Sequence, residues 1–246
     1  MELTELRNDL RNKADAKQAV ILQRFFKTGK GEYGEGDQFY GIKVPVLRKI
    51  ASGYKNLLLS EIQELLNSPI HEERLVSLFI LVNHYEKGDD KTRETIFRFY
   101  IKNTKNINNW DLVDLSAPKI IGAHLLNKDK EILFEFARSS DIWKKRIAII
   151  STYTFIRNLQ FDTTFQISEI LLNDKHDLIH KGAGWMLREL GNKDMRAEEK
   201  FLKKYYKRMP RTMLRYAIEK FPEKKRQDYL KGNIAGPQTR STALQE

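Results

Sequence analysis

Apolar residues recur at steps of three and four positions along almost the whole chain beyond residue 55. Leu75, Leu78, Phe79 and Val82 form one such set. This spacing places the side chains on one face of a helix. A half-buried strand would alternate apolar and polar residues, and the sequence shows neither that alternation nor an Asn-Gly or Asp-Gly hairpin turn. The pattern therefore predicts an all-α protein.

The predicted helices come in pairs, and the second helix of each pair opens on a polar or proline-containing segment. Arg74, Asp111, Arg146, Lys181 and Arg215 hold the same place in five such segments, at intervals of 37, 35, 35 and 34 residues. A period near 35 with two helices per repeat is typical of a superhelical solenoid. We expect residues 1–231 to form a single domain of this kind. Its second helices would line a concave, basic face suited to duplex DNA.

The two ends of the chain depart from this pattern. Residues 1–27 are predicted to add one or two capping helices. Residues 28–41 form a glycine-rich loop that lacks the Gly-Lys-Ser/Thr of a phosphate-binding P-loop. The next helix begins within residues 41–51, with Pro45 in its first turn. Residues 232–246 lose helical periodicity and are predicted to be an unstructured tail or one added for expression.

The charge of the chain favours an anionic partner. Lys and Arg number 44 against 33 Asp and Glu, which gives a net charge of +11. Residues 193–231 alone hold 14 basic and 6 acidic residues, with aromatic residues interleaved. Nucleic acid is the commonest partner of such a surface. A solvated helix face that only keeps the protein soluble explains the charge about equally well.

Several classes of protein are excluded by composition. The chain has no cysteine, so it has neither disulfides nor a catalytic thiol. It has no run of 18 apolar residues, so no segment is predicted to cross a membrane. The first helix lacks the apolar stretch of a signal peptide, and we expect a cytoplasmic protein. The five histidines are scattered, and neither a metal site nor a cofactor is predicted.

Trp110 and Asp114 are the first candidates for chemistry. Their spacing of four puts an aromatic ring and a carboxylate side by side on a helix. One interpretation is that they stabilise a positively charged transition state on a polyanion. The other is that the carboxylate complements the helix dipole while the tryptophan fills the core. Trp143 is expected to pack between helices, and Trp185 is a second candidate for an exposed aromatic wall.

Four separated motifs then agree in order: GIKVPVLRK at 41–49, INNWDLVDLSAP at 107–118, DIWKKRIAII at 141–150 and HKGAGWMLRE at 180–189. Together they resemble the AlkD-type family of DNA alkylation-repair glycosylases, over roughly residues 10–230. That family is built from HEAT-like helical repeats. The resemblance implies that Asp114 is the catalytic aspartate and Trp110 its aromatic partner. It also implies a second aromatic wall at Trp185 and an active-site arginine at Arg146.

The resemblance and the basic openings of the repeats together predict eight side chains that bind DNA: Lys43, Arg48, Lys144, Lys145, Lys181, Arg188, Arg211 and Arg215. One position departs from the family pattern. Asn109 stands where some members have a second tryptophan, which would alter the shape of the lesion site.

The implied activity is hydrolysis of the N-glycosidic bond of N3- or N7-alkylated purines in duplex DNA by a monomer without a cofactor. Such an enzyme would be associated with the nucleoid when it is bound to DNA. Two alternatives stay open. A non-catalytic repeat protein that binds damaged or branched DNA would have the same basic face. A scaffold that binds an acidic protein would explain the charge, but not the set formed by Trp110, Asp114 and Arg146.

Overall fold

The computed structural model describes residues 2–234, and every regular element in that range is a helix. The β-type pairing within it is limited to one isolated bridge between Gln38 and Ile70. The prediction of an all-α protein is confirmed. Residues 235–246, most of the predicted tail, lie outside the described residues. No helix in the described part is both long enough and apolar enough to span a bilayer.

Fifteen α-helices follow one another in residues 2–234, and a π-helical turn, Pro118–Gly122, joins the seventh to the eighth. They are α1 (Glu2–Arg11), α2 (Ala16–Phe25), α3 (Val44–Gly53), α4 (Leu59–Leu66), α5 (His71–Lys87), α6 (Asp90–Lys102), α7 (Trp110–Ala117), α8 (Ala123–Leu125), α9 (Glu131–Arg138), α10 (Ile142–Arg157), α11 (Asp162–Ile170), α12 (Asp177–Gly191), α13 (Met195–Tyr205), α14 (Arg211–Ala217) and α15 (Glu223–Lys231).

The chain divides between Asp129 and Lys130 into two compact units. In the first unit, α5 packs against α3, α4, α6 and α7. In the second, α12 packs against α10, α11, α13 and α14. The helices that carry the repeated positions therefore contact one another along each unit, α5 with α7, α10 with α12, and α12 with α14. This is the packing of helical repeats, as the period in the sequence predicts.

Aspartates define where several helices begin. The side chains of Asp15, Asp89, Asp141 and Asp194 each accept a backbone N–H from the first turn of α2, α6, α10 and α13. Such a cap satisfies N–H groups that have no partner within the helix. At the start of α3, Pro45 lies in the first turn, as predicted, because it needs no hydrogen-bond acceptor there.

The glycine-rich loop is fixed to the first unit by the carboxylate of Glu72, which is 1% exposed. This carboxylate accepts three successive backbone N–H groups, from Tyr40 at 3.0 Å, Gly41 at 2.8 Å and Ile42 at 3.1 Å. Gly41 has φ +88°, and a Cβ atom there would overlap the carbonyl oxygen of Asp15. Only glycine fits this close approach of loop and helix. The loop therefore has one defined path along the start of α5.

We expect Glu72→Gln to lower the free energy of unfolding by about 1–3 kcal/mol, because an amide N–H₂ would replace one acceptor oxygen and face a buried N–H group. Chemical denaturation of both proteins measures the difference. Glu86→Gln is the control, since Glu86 lies exposed on the same helix and pairs with the exposed Lys119. Equal stability of the wild type and Glu72→Gln would contradict the prediction.

Candidate functional site

Trp110 and Asp114 share one half-buried face of α7. The helix begins at Trp110, where the side chain of Asn109 accepts the Trp110 N–H at 2.8 Å. Leu112 and Val113 point into the core and are fully buried. The four-residue spacing thus has the predicted result, a ring and a carboxylate on the same helix face. The acidic residue in the first turn is Asp111, so the helix-dipole interpretation applies to Asp111 rather than to Asp114.

Tyr100 lies behind this face. It is fully buried, and its hydroxyl forms a 2.9 Å hydrogen bond with the hydroxyl of Ser116 on α7. Burial raises the pKa of Tyr100, and the nearby Asp114 carboxylate raises it further. Tyr100 therefore stays protonated and neutral, and the negative charge on this face comes from the carboxylate.

The ring of Trp110 is held by the end of α2. Phe26 stacks on it with ring centres 5.1 Å apart and planes at 15°. Phe25 meets it edge to face at 5.7 Å and is itself 60% exposed. Phe26 in turn stacks on the buried Phe39 of the glycine-rich loop at 5.2 Å. Trp110 is therefore a partly open ring on a firm aromatic support, and the tryptophan does not simply fill the core.

A cluster of buried charges lies next to this support. His71, the first residue of α5, places Nδ1 3.1 Å from a carboxylate oxygen of Asp37 and Nε2 2.8 Å from one of Asp111. Arg74 reaches the other oxygen of Asp37 at 2.6 Å. Asn109 donates its amide N–H to Asp37 at 3.1 Å. We call Asp37, His71, Arg74, Asn109 and Asp111 the buried charge cluster.

Ionisation in the buried charge cluster follows from these contacts. Burial by itself would lower the pKa of His71, but the carboxylates of Asp111 and Asp37 outweigh it and raise the pKa to about 9. Burial likewise opposes ionisation of Asp37, yet its bonds to His71 and Arg74 lower its pKa below the usual value. At neutral pH the cluster thus holds an imidazolium and a guanidinium between two aspartates.

In the second unit, Trp185 lies half buried on α12 and is oriented by a carboxylate. Its indole N–H donates to Glu189 at 2.9 Å, and the guanidinium of Arg188 binds the same oxygen at 3.0 Å. Arg188 also pairs with Glu219. The Arg188 charge, predicted to bind the DNA backbone, is therefore already compensated by two carboxylates.

Arg146 is 5% exposed and lies in the interior of the second unit. Its guanidinium donates to the carbonyl oxygen of Leu178 at 2.6 Å, in the first turn of α12. Gly182 gives it room, because a Cβ there would lie 3.4 Å from a guanidinium nitrogen. Trp143 is buried on the same helix, as expected. The sequence predicted the place of Arg146 in the repeat but not its burial.

The remaining predicted DNA ligands differ in their surroundings. Lys145 pairs with Asp174 at 2.6 Å, and Lys181 pairs with Asp177 at 2.7 Å. Lys144 lies over the ring of Phe136, and Arg48 over that of Phe79. Arg211 donates to the carbonyl oxygen of Leu230. The exposed members of the set, and hence those most accessible to a large anion, are Lys43, Arg48, Arg211 and Arg215.

The family described as "DNA alkylation repair enzyme" has a sequence profile that matches residues 6–221. The chain belongs to this family. A solved structure described as a predicted DNA alkylation repair enzyme from Enterococcus faecalis is similar to this chain, with a TM-score of 0.67 and 13% identity. The alignment covers 86% of this chain and 98% of that one, so the two share a fold. A comparison with curated proteins gave no match.

The sequence of this DNA alkylation repair family member did not indicate which groups hold the candidate site in place. Phe26, Asp37 and His71 support Trp110, and Glu189 orients Trp185. The one available signal was Asp111, an acidic residue in a position where the other repeats are basic. The structure gives the reason, because Asp111 pairs with His71.

Proposed function

We propose that this member of the DNA alkylation repair family is a DNA glycosylase that removes N3- and N7-alkylated purines from duplex DNA. The observation that carries the proposal is the common half-buried face of Trp110 and Asp114 at the start of α7. A ring and a carboxylate that share a partly open face are the groups needed to stabilise a positively charged sugar.

Cleavage of this N-glycosidic bond requires few other groups from the protein. Alkylation at N3 or N7 makes the purine cationic and therefore a good leaving group. As the bond to C1′ breaks, positive charge develops on the deoxyribose. The carboxylate of Asp114 would stabilise that charge and orient a water molecule for attack at C1′, as carboxylates do in glycoside hydrolysis. The water supplies the oxygen that replaces the base and gives up one proton, to the Asp114 carboxylate or to solvent, and the cationic base takes the bonding electron pair and leaves neutral.

An aromatic ring would act on the same charge. The face of a tryptophan attracts a cation by about 0.5–2 kcal/mol. We assign this role to Trp110, which shares its helix face with Asp114, while the family resemblance implies that Trp185 is a second aromatic wall. Arg146, the active-site arginine that the resemblance implies, would support the site from inside the second unit, because it is 5% exposed and its guanidinium donates to the Leu178 carbonyl. Positioned groups of this kind lose little freedom when the substrate binds.

Single-turnover release of 7-methylguanine from duplex DNA tests the proposal directly. The full chain is incubated in excess over the labelled duplex, and released base is separated from DNA. Release well above the spontaneous rate supports the glycosylase. DNA binding that weakens steeply with salt, without any release, would instead identify a non-catalytic DNA-binding repeat protein. Absence of both would favour a scaffold that binds proteins.

The surroundings of the arginines predict how each contributes to DNA binding. We expect Arg215→Gln to reduce the slope of log K against log salt by about 1, because each exposed cation paired with a phosphate releases about one counterion. Arg188→Gln should reduce it much less, since Arg188 is paired with Glu189 and Glu219. Fluorescence anisotropy over a salt series measures both slopes. Equal reductions would show that Arg188 leaves its carboxylates to bind phosphate.

A further inference from the structure

The buried charge cluster has no part in the proposed chemistry. The side chains of Asp37, His71, Arg74 and Asp111 are each at most 6% exposed, so none of them is open to a substrate. Ion pairs in an interior rarely recover the full cost of removing charges from water. Apolar residues would fill the same space with less penalty. The charges therefore call for a role other than packing.

Both chain neighbours of Trp110 belong to this cluster. Asn109 precedes it, and its side chain donates an amide N–H to Asp37 while the side-chain oxygen Oδ1 accepts the Trp110 N–H. Asp111 follows it and binds Nε2 of His71. The backbone on either side of Trp110 is thus tied to groups from the glycine-rich loop and from α5. These contacts fix the place where α7 begins.

A second connection between His71 and Trp110 consists of stacked aromatic rings. The imidazole of His71 lies 4.8 Å from the ring of Phe26 and 4.7 Å from that of Phe39, centre to centre. Phe26 is the ring on which Trp110 stacks. His71 therefore reaches Trp110 by two independent routes, the backbone through Asp111 and the aromatic stack through Phe26.

We propose that His71, as an imidazolium that bridges Asp37 and Asp111, is a positioning residue that sets the orientation of Trp110. The functional meaning of this orientation rests on the proposed glycosylase activity, in which Trp110 faces the sugar of the lesion. His71 itself touches no substrate. Its effect passes to the site through the start of α7 and through Phe26.

The geometry of the cluster favours the charged form of the His71 imidazole. Each nitrogen faces a carboxylate oxygen, and a carboxylate only accepts hydrogen bonds. A neutral imidazole has one N–H, so its other nitrogen would direct a lone pair at a carboxylate. The charged groups around the ring are Asp37 from the loop, Asp111 from α7 and Arg74 from α5. The two aspartates raise the pKa of His71 to about 9, against the opposing effects of burial and of Arg74.

The fluorescence of Trp110 tests the proposal without any need for catalysis. In a Trp143→Phe/Trp185→Phe background, Trp110 is the one tryptophan that emits. We expect His71→Gln to shift its emission and increase its quenching by acrylamide at pH 7. His124→Gln is the matched control, because His124 is also a buried histidine stacked on a phenylalanine in the first unit, Phe97. That variant should leave the Trp110 signal unchanged.

The pH dependence of Trp110 emission is a second measurement, and it is made on a protein that keeps His71. We expect Trp110 emission in the same background to change with a midpoint near pH 9, and this change should be absent in His71→Gln. If His71→Gln fails to fold, Asp111→Asn replaces it, because that substitution keeps the size of the side chain and removes the charge that holds Nε2. A Trp110 signal that is the same in folded variants and flat with pH would overturn the proposal.

Single-turnover rates then distinguish a failure of this proposal from a failure of the proposed function. If the chain is a glycosylase, His71→Gln should slow single-turnover release by roughly 10–100-fold, since small displacements of positioned groups have effects of this size. Its affinity for DNA should change less than about threefold, because the phosphate ligands are untouched. A wild type without release would contradict the glycosylase, while the emission measurements would still support or overturn the role of His71.

Discussion

Replacement of Asp114 by asparagine is expected to slow the release of 7-methylguanine by roughly a thousandfold or more, since removal of a group that stabilises transition-state charge commonly costs that much. Asparagine has nearly the same shape, so α7 and the Trp110 face should keep their structure. What is lost is the negative charge beside the developing oxocarbenium ion. Affinity for undamaged DNA should stay the same or rise slightly, because one charge that repels phosphate is gone.

The experiment compares single-turnover rates of the wild type and Asp114→Asn at saturating enzyme. Asp162→Asn is the matched control, because Asp162 lies exposed in the first turn of α11 and the substitution removes the same charge. Circular dichroism and melting temperature establish that each variant is folded. Release by Asp114→Asn at more than about a tenth of the wild-type rate would rule out Asp114 as the catalytic carboxylate.

The stability that His71 contributes should disappear between about pH 6.5 and pH 9. Its pKa lies near 6.5 in the unfolded chain and is raised to about 9 in the folded protein, so the native state binds the proton more tightly. The contribution is complete below pH 6.5 and is lost as the pH rises through 9. The shift corresponds to about 3 kcal/mol in the free energy of unfolding.

Urea denaturation at several pH values, with wild type and His71→Gln side by side, measures this contribution. Burial raises the pKa of Glu198 to about 8, so this carboxyl also titrates in the same window. Because both proteins contain Glu198, the difference between their curves isolates His71. The difference should shrink toward high pH by about 3 kcal/mol. A constant difference would mean that folding does not raise the pKa of His71.

The local parts of this protein followed from its sequence. The apolar period and Pro45 act over a few residues, so the pattern predicted helices such as α5 and α10 from their own segments. The repeat near 35 residues extended that prediction to the pairing of helices. The spacing of Trp110 and Asp114 is local as well, because residues four apart on a helix share a face.

The support of the candidate site depends on contacts between distant segments. Asn109 and Asp37 are 72 positions apart, and His71 and Asp111 are 40 apart. No period relates these residues, and each of them alone reads as an ordinary polar side chain. The same holds for Arg188, which reads as a DNA ligand until α12 packs against the segment that carries Glu219, 31 positions away.

The sequence by itself thus determined the helices, their repetition and the face that carries Trp110 and Asp114, because these depend on near neighbours and on the period of apolar residues. Only the tertiary structure decided which charges are compensated, which arginines are buried and what holds Trp110 in place. Those properties arise when packing removes charged groups from water and leaves them with the partners that the fold brings within hydrogen-bond distance.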